Sequence, residues 1–429
     1  MSRLRVLVLS DSCNPDWPSL PVVGYKYARA LAGVADVTLA THVRNRENIE
    51  ADGTFPAPIA YIDNEWIAAP LYRLSVWLRG GDEGNWSLKQ MMEYPSYLAF
   101  ERQVFTTFRK ELEQGAFDIV HRLTPMSPTS PSYIAHRIRQ PFVIGPLNGN
   151  LDWPKAFLSE QKREREMLRR FRNAYRYLPY VRSTFRNADA ILASFQHTID
   201  DLVHADPARI VPIPEIGFDP GMFRGAERAA PFSGPGPFQF LYAGRLVPYK
   251  VPEAVVRAFV TSDTLKAHRL RIVGDGPEQS RLEEIVDAHD ARDRVAFTGR
   301  KTQAEVGEEM RQADAFVFPS IRELGAGVVI EAMASGAVCL VTDYGAPGDL
   351  AANGRGVRVP LQPLEGLVDG FRNAMENCIR DPAAHAAMAD KARTYATTLF
   401  DWNAKARYTA EIYQAVLEKR PLNGFDAYV

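Results

Sequence analysis

At 429 residues the chain is about three times the roughly 150 residues of a typical domain, so two domains of ordinary size are expected, and 46% hydrophobic with 24% charged residues gives each half apolar surface for its own core. A disordered chain and a disulfide-stapled mini-protein are excluded. A formal charge of -1 argues against a dedicated nucleic-acid partner, and three cysteines far apart in sequence, Cys13, Cys339 and Cys378, form no metal spacing and suit a reducing compartment.

At the N-terminus the apolar run Val6 to Leu9, closed by Asp11, is too short for a signal sequence and reads as a first strand over residues 4–10. DVTLAT at 36–41 is the second strand. Residues 64–109 are irregular, with Trp66, Trp77, Trp86 and a Gly80-Gly81 break. They read as a lid or an acceptor-side surface, or else as a helix packed on the core. DIVH at 118–121 and PFVIGP at 141–146 are further strands. Residues 161–186 hold nine Lys or Arg against two Glu, and Met167, Leu168, Phe171, Ala174, Tyr175 and Leu178 recur at helical spacing. That pattern suits a helix lying on an anionic membrane, or a helix whose apolar face packs inward and whose arginines are solvated. DAILAS at 189–194 and RIVPI at 209–213 complete six strands in the first half.

Glycines and prolines over 224–238 can sustain neither a helix nor a central strand, so a domain linker is expected there or just before it. Six more strands follow: FQFLYAG from 238, LRIVG from 270, RVAFTG from 294, DAFVFPS from 314, VCLVT from 338 and GVRVP from 356. Between the last strands but two, residues 324–341 are apolar yet contain Glu331 and several glycines, which fits a buried helix plus a strand and not a membrane span. After Asp381 the pattern is helical to the end. Aliphatic runs alternating with helical segments imply an α/β protein with parallel sheets covered on both faces. The domains are expected at 1–216 and 217–400, with a helix at about 404–420 crossing back onto the first.

Two stretches carry candidate chemistry. In SIRELGAGVVIEAMASG, from Ser320, a strand leads through a small-residue loop to a helix starting near Gly327 or Val328. Its free N–H groups and positive dipole end would receive a phosphate, with Gly325, Ala326 and Gly327 letting a ligand approach the backbone. Glu323 lies in that loop. Glu331, one turn into the helix among apolar neighbours, needs a polar partner, and sugar hydroxyls are good ones. The alternative makes both glutamates surface residues. In YAGRLVPYK, from Tyr242, Arg245 and Lys250 follow a strand at its carboxyl end, placed either to bind a diphosphate or as a solvated face. Gly274 and Gly276 follow a strand as G-x-G, but Gln279 stands where a dinucleotide fingerprint needs its third glycine. No Asp-x-Asp occurs, and no metal is expected.

AGRLVPYK, IVGDGPE, VAFTGR and FVFPSIRELGAGVVIEAMASG, in this order, resemble the carboxyl half of a family 4 glycosyltransferase with the GT-B fold, Glu323 and Glu331 forming its Glu-x7-Glu mark. The resemblance implies two Rossmann-like, doubly wound parallel-sheet domains facing a central cleft. It also implies a nucleotide-sugar donor held mainly by the second, and transfer with retention and without an obligatory metal or other cofactor. By the same resemblance Arg245 and Lys250 clamp the diphosphate, Glu331 takes the ribose, Glu323 contacts the donor sugar, and backbone amides near Ala326, Gly327 and Val328 hold sugar or phosphate oxygens. Gly24 is the remaining close-approach glycine of a reduced N-terminal loop. His121 matches a family histidine that is either catalytic or structural, while Leu123 replaces a second one. Ala326 and Val251 stand where glycine is common. The expected function is transfer of a hexosyl group, from a UDP-sugar by family analogy, to an acceptor hydroxyl of a membrane lipid or lipid-linked saccharide. Assembly of exopolysaccharide, capsule or lipopolysaccharide is the alternative, and a non-catalytic nucleotide-sugar sensor the alternative of another class. The expected location is the cytoplasm, with peripheral association at the inner face of the membrane through residues 161–186.

Overall fold

The computed structural model describes residues 3–79, 86–157, 176–223 and 230–428, the side chains of 74–79 and 86–93 excepted. Its aliphatic runs form two all-parallel sheets. The first has the order β3-β2-β1-β4-β5-β6-β7, from β1 (Arg5–Ser10), β2 (Asp36–His42), β3 (Ile59–Ile62), β4 (Ile119–Thr124), β5 (Phe142–Leu147), β6 (Ala190–Ala193) and β7 (Ile210–Pro212). The second runs β10-β9-β8-β11-β12-β13, from β8 (Gln239–Ala243), β9 (Arg269–Val273), β10 (Val295–Gly299), β11 (Ala315–Phe318), β12 (Val338–Thr342) and β13 (Val357–Val359). Each sheet starts in its middle and winds outward both ways, the doubly wound order, with switch points between β1 and β4 and between β8 and β11. Every residue of β4, β5 and β12 is buried, as strands covered on both faces must be.

The first half holds seven strands where six were expected. The additional one, β3, is an edge strand with three of its four residues only half-buried, so it lacks the fully apolar run of a central strand. Between β3 and β4 the described residues form three helices, Glu65–Arg79, Trp86–Thr107 and the short Arg109–Glu113. Tyr97, Phe100 and Val104 of the second join the core of the first sheet, against Leu7, Leu9, Val120 and Ile144, so this part of the irregular stretch packs inward.

The chain forms two compact units. One contains the described residues up to Asn150, those of 176–215 and Trp402 onward; the other contains 151–157 and Ile216–Asp401. The first unit is therefore discontinuous in sequence. Its last helix, Trp402–Leu417, lies on the helix Leu20–Val34, where the Tyr27 and Thr409 hydroxyls are 2.7 Å apart and the Tyr27 and Trp402 rings 5.9 Å apart. Lys405 of that helix is fully buried and donates to the Pro214 carbonyl; burial pulls its pKa down to about 7. Residues 230–238 belong to the second unit, with Phe232 packed 5.2 Å from the Phe238 ring and its N–H bonded to the Asp314 carboxylate. Among the described residues no helix is long and apolar enough to cross a membrane.

Candidate functional site

In the second unit the loops leaving β8 and β11 meet at the switch point. Tyr242, buried at the end of β8, donates through its hydroxyl to the Arg245 carbonyl (2.9 Å) and so fixes the first turn of one loop. The Tyr249 carbonyl, at the end of that loop, accepts from the Ile321 N–H at 3.0 Å, stitching it to the other. Hydrophobic burial of β8 and β11 thus delivers polar residues from two segments, about 75 positions apart in the chain, to one place.

Lys250 and Glu323 are brought into contact there, with 2.5 Å between Nζ and Oε1 and only 12% and 16% of the two side chains exposed. The Ser320 hydroxyl donates to the same carboxylate oxygen at 2.9 Å, and the ammonium lies 4.8 Å from the centre of the Phe318 ring. A cation so placed is partly desolvated, which strengthens its field on any anion that reaches it. Arg245 is exposed and turned to the Tyr249 hydroxyl, to which its Nη2 donates at 2.8 Å.

The helix Gly327–Ala334 begins directly beyond Glu323. Ala326 precedes it in the left-handed conformation (φ 51°), and among the described residues no side chain caps it and no acid lies in its first turn, an arrangement that favours an anion at its dipole end. Val251 is left-handed as well (φ 45°). A β-branched residue in that region is an outlier, and such strain, costing roughly 1–2 kcal/mol, is retained where the surroundings enforce it. Both are positions at which the resemblance stated above would have glycine. Glu331 is half-buried on the second turn, while Val329, Ile330, Ala332 and Met333 are buried; its Oε1 accepts from Gln303 Nε2 at 3.2 Å.

The G-x-G of the sequence has a packing role. A Cβ on Gly274 would lie 2.0 Å from the Gly244 carbonyl oxygen, and one on Gly276 2.4 Å from that of Leu246. Leu246 N–H donates to the Asp275 carbonyl at 2.7 Å, and Glu278 N–H to that of Leu246 at 3.1 Å. The loop after β9 therefore clasps the backbone on both sides of Arg245.

Sequence reasoning missed several supporting residues. Tyr249 and Ser320 lie inside the quoted motifs without having been singled out, and Gln303 has no local signal. Residues 151–153 join the site's rim from far away in the chain: the Tyr344 hydroxyl donates to the Asp152 carbonyl (2.8 Å), and the Arg322 guanidinium lies 5.2 Å from the Trp153 ring.

Gly24 and His121 belong to the first unit. Gly24 sits in the helix Leu20–Val34, where an added Cβ would be 2.4 Å from the Ser12 carbonyl, so its close approach is to its own chain. His121 on β4 is fully buried. Its Nε2 donates to the Gly145 carbonyl (2.7 Å), which leaves Nδ1 to accept from the Tyr413 hydroxyl (2.5 Å), and burial pushes its pKa down to about 4. In this arrangement it presents no nitrogen to a ligand. Among the described residues no His, Cys, Asp or Glu cluster is suited to a metal, and the three cysteines are free and buried.

Residues 223–395, which include Arg245, Lys250, Glu323 and Glu331, match the family described as Glycosyl transferases group 1. The chain is 32% identical over 182 residues to the glycogen synthase of Mycobacterium tuberculosis, covering 42% of this chain and 43% of that protein. It is 30% identical over 246 residues to the D-inositol 3-phosphate glycosyltransferase of Kineococcus radiotolerans, covering 51% and 55%. It thus spans about half the length of the curated relatives it matches. In three dimensions Anabaena Alr3699/HepE, crystallised in complex with UDP, aligns with a TM-score of 0.63 at 16% identity over 96% of this chain and 100% of that one. Sucrose-phosphate synthase from Thermosynechococcus elongatus gives 0.62 at 18% identity over 97% and 100%. At such identities the likeness is one of fold, and the fold is GT-B: two Rossmann-like domains, of seven and six parallel strands.

Proposed function

We propose that the protein is a family 4, retaining glycosyltransferase that moves a hexosyl group from a nucleotide-diphosphate sugar, in the first instance a UDP-sugar, to an acceptor hydroxyl. The observation that carries this reading is the contact of Lys250 with Glu323 at the carboxyl ends of β8 and β11, with Arg245 in the same loop as Lys250 and the start of Gly327–Ala334 just beyond Glu323. Ligands of doubly wound sheets bind at this switch point. In the reaction the bond from the anomeric carbon to the diphosphate breaks, with its electron pair passing to the phosphate oxygen. Lys250, Arg245 and the helix start stabilise that charge, while the acceptor oxygen bonds to the same face of the sugar and gives up its proton to the departing diphosphate. Glu323 contacts the donor sugar, and its link to Lys250 holds both groups in register before substrate arrives. Glu331 takes the ribose hydroxyls. No metal or other cofactor is called for by this scheme.

A thermal-shift screen of UDP-, GDP- and ADP-sugars tests the reading. A ligand at a hundred times its Kd stabilises the native state by about 2.7 kcal/mol, or roughly 5–10 °C for a domain of this size. No shift with any nucleotide sugar would refute it, and release of free sugar from the donor by the purified protein separates an enzyme from a sensor. Glu331→Gln should weaken UDP binding about tenfold in calorimetry, on the scale of a charge-assisted hydrogen bond, with the melting temperature kept. Equal affinities would return Glu331 to a structural role beside Gln303.

The acceptor we favour is a membrane lipid or lipid-linked saccharide, met by peripheral association at the inner face of the membrane, with assembly of exopolysaccharide, capsule or lipopolysaccharide as the alternative. This rests on the basic residues of 161–186, of which 161–175 lie outside the described residues. In the described remainder Val181, Thr184 and Phe185 are buried within the first unit, and Arg176 pairs with Asp201 at 2.7 Å, so the apolar face of this part packs inward. Sedimentation with anionic liposomes should be strong at low salt, weak at high salt and reduced by neutralising Arg169, Arg170 and Arg172. Binding indifferent to those changes would remove the membrane from the scheme.

A further inference from the structure

The helix Val181–Asn187 enters β6, and a turn at Pro207–Arg209 enters β7. Both segments therefore lie at the amino ends of their strands, the opposite end of the sheet from the one where substrates of doubly wound folds bind. Between them is an open pocket of about 400 Å³ lined by Arg182, Arg186, His204 and Arg209 over Phe185, with Asp206 as its acid. Arg182 and Arg186 are exposed one helical turn apart and, among the described residues, neither guanidinium has a hydrogen-bond or ion-pair partner. Like charges so spaced on a helix repel each other. Arg209 is held in place: its Nη1 donates to the carbonyls of Ala188 (2.8 Å) and Arg186 (3.2 Å), and its Nε stays 3.8 Å from Asp206. One fixed and two unpaired guanidiniums thus face a common space, in a chain whose overall charge is only -1.

We infer that this pocket binds the oxyanion of a phosphate ester, at a site separate from the one at the ends of β8 and β11. Planar guanidinium forks match phosphate oxygens in pairs, and three of them relieve their mutual repulsion by sharing a dianion. The volume exceeds that of bare phosphate and leaves room for the organic part of the ester, whether a soluble metabolite or a lipid headgroup.

The test starts from Lys250→Ala, in which the clamp of the proposed donor site is already removed, so the outcome does not depend on that site. Inorganic pyrophosphate is titrated calorimetrically into this variant and into the same variant carrying Arg182→Gln and Arg186→Gln, with melting temperatures checking that both are folded. Affinity should fall at least tenfold with the two glutamines. Unchanged affinity, or no measurable binding before they are introduced, overturns the inference whatever vesicles do. When affinity falls, flotation with phosphatidylglycerol against phosphatidylcholine vesicles reads the source. Loss of flotation on phosphatidylglycerol alone assigns a lipid headgroup, and unchanged flotation a soluble ester.

Discussion

Lys250→Ala is expected to lower turnover about a hundredfold, the scale for removing one preorganised donor from a charge that develops in the transition state. Turnover is to be measured with whichever nucleotide sugar gives the largest thermal shift. The fold should survive, because Glu323 keeps the Ser320 hydroxyl as a donor and a sixth of its side chain remains open to water. Glu323→Gln should cost a comparable factor. Since the two groups touch, the double variant should lose far less than the product of the single losses, as coupled residues do. Unchanged turnover in Lys250→Ala would remove the clamp from the mechanism, and strict multiplicativity would separate the two residues.

Gly274→Ala should be the most destabilising single change in the second unit, by about 3 kcal/mol or more, the range reached when a substitution forces backbone against backbone at a special conformation. Its φ of 134° is one that side chains rarely adopt, and the atom 2.0 Å from the new methyl is a carbonyl oxygen, which cannot swing aside. A fall in melting temperature of roughly 6–12 °C is expected. Because Gly244 immediately precedes Arg245, the surviving protein should also bind its donor more weakly. A melting temperature within 2 °C of the parent would mean, by the same scaling, that the two loops are not packed in this way.

The strands buried on both faces could be read in advance, and so could the partly exposed edge strands β7, β10 and β13, whose β-branched or aromatic residues still form short runs. Runs such as VLVL in β1 and VCLV in β12 carry no polar residue because helices cover both sides, whereas β3 at the sheet's edge has Ile59, Ala60 and Tyr61 only half-buried and gives no such run. The same logic holds at the site. Arg245, Lys250 and Glu323 were legible because each lies in a loop that follows a buried strand, and Glu331 because it interrupts an otherwise apolar helix, so each charge stands out against its neighbours. Gln303 and Trp153 were not, since what gives them meaning is a partner far off in the chain, Glu331 or Arg322, and no local pattern encodes such a meeting. For the G-x-G the pattern was visible and its purpose was not. Two glycines two apart are compatible with a ligand's approach or with another loop's, and only the position of Gly244 and Leu246 decides between them.

The return of Trp402–Leu417 to the first unit sets an order of events during synthesis. The ribosome must complete Ile216–Asp401 before the helix that covers Leu20–Val34 exists. At the roughly 5–20 residues per second of translation, the first unit waits on the order of ten to forty seconds without that helix. In that interval Tyr27 lacks Thr409, and His121 lacks Tyr413. The second unit, whose main segment is continuous, has no such delay. A nascent chain stalled just after Asp401 should therefore resist protease in its second half while its first half is still cut, and adding a peptide of residues 402–428 should protect the first half.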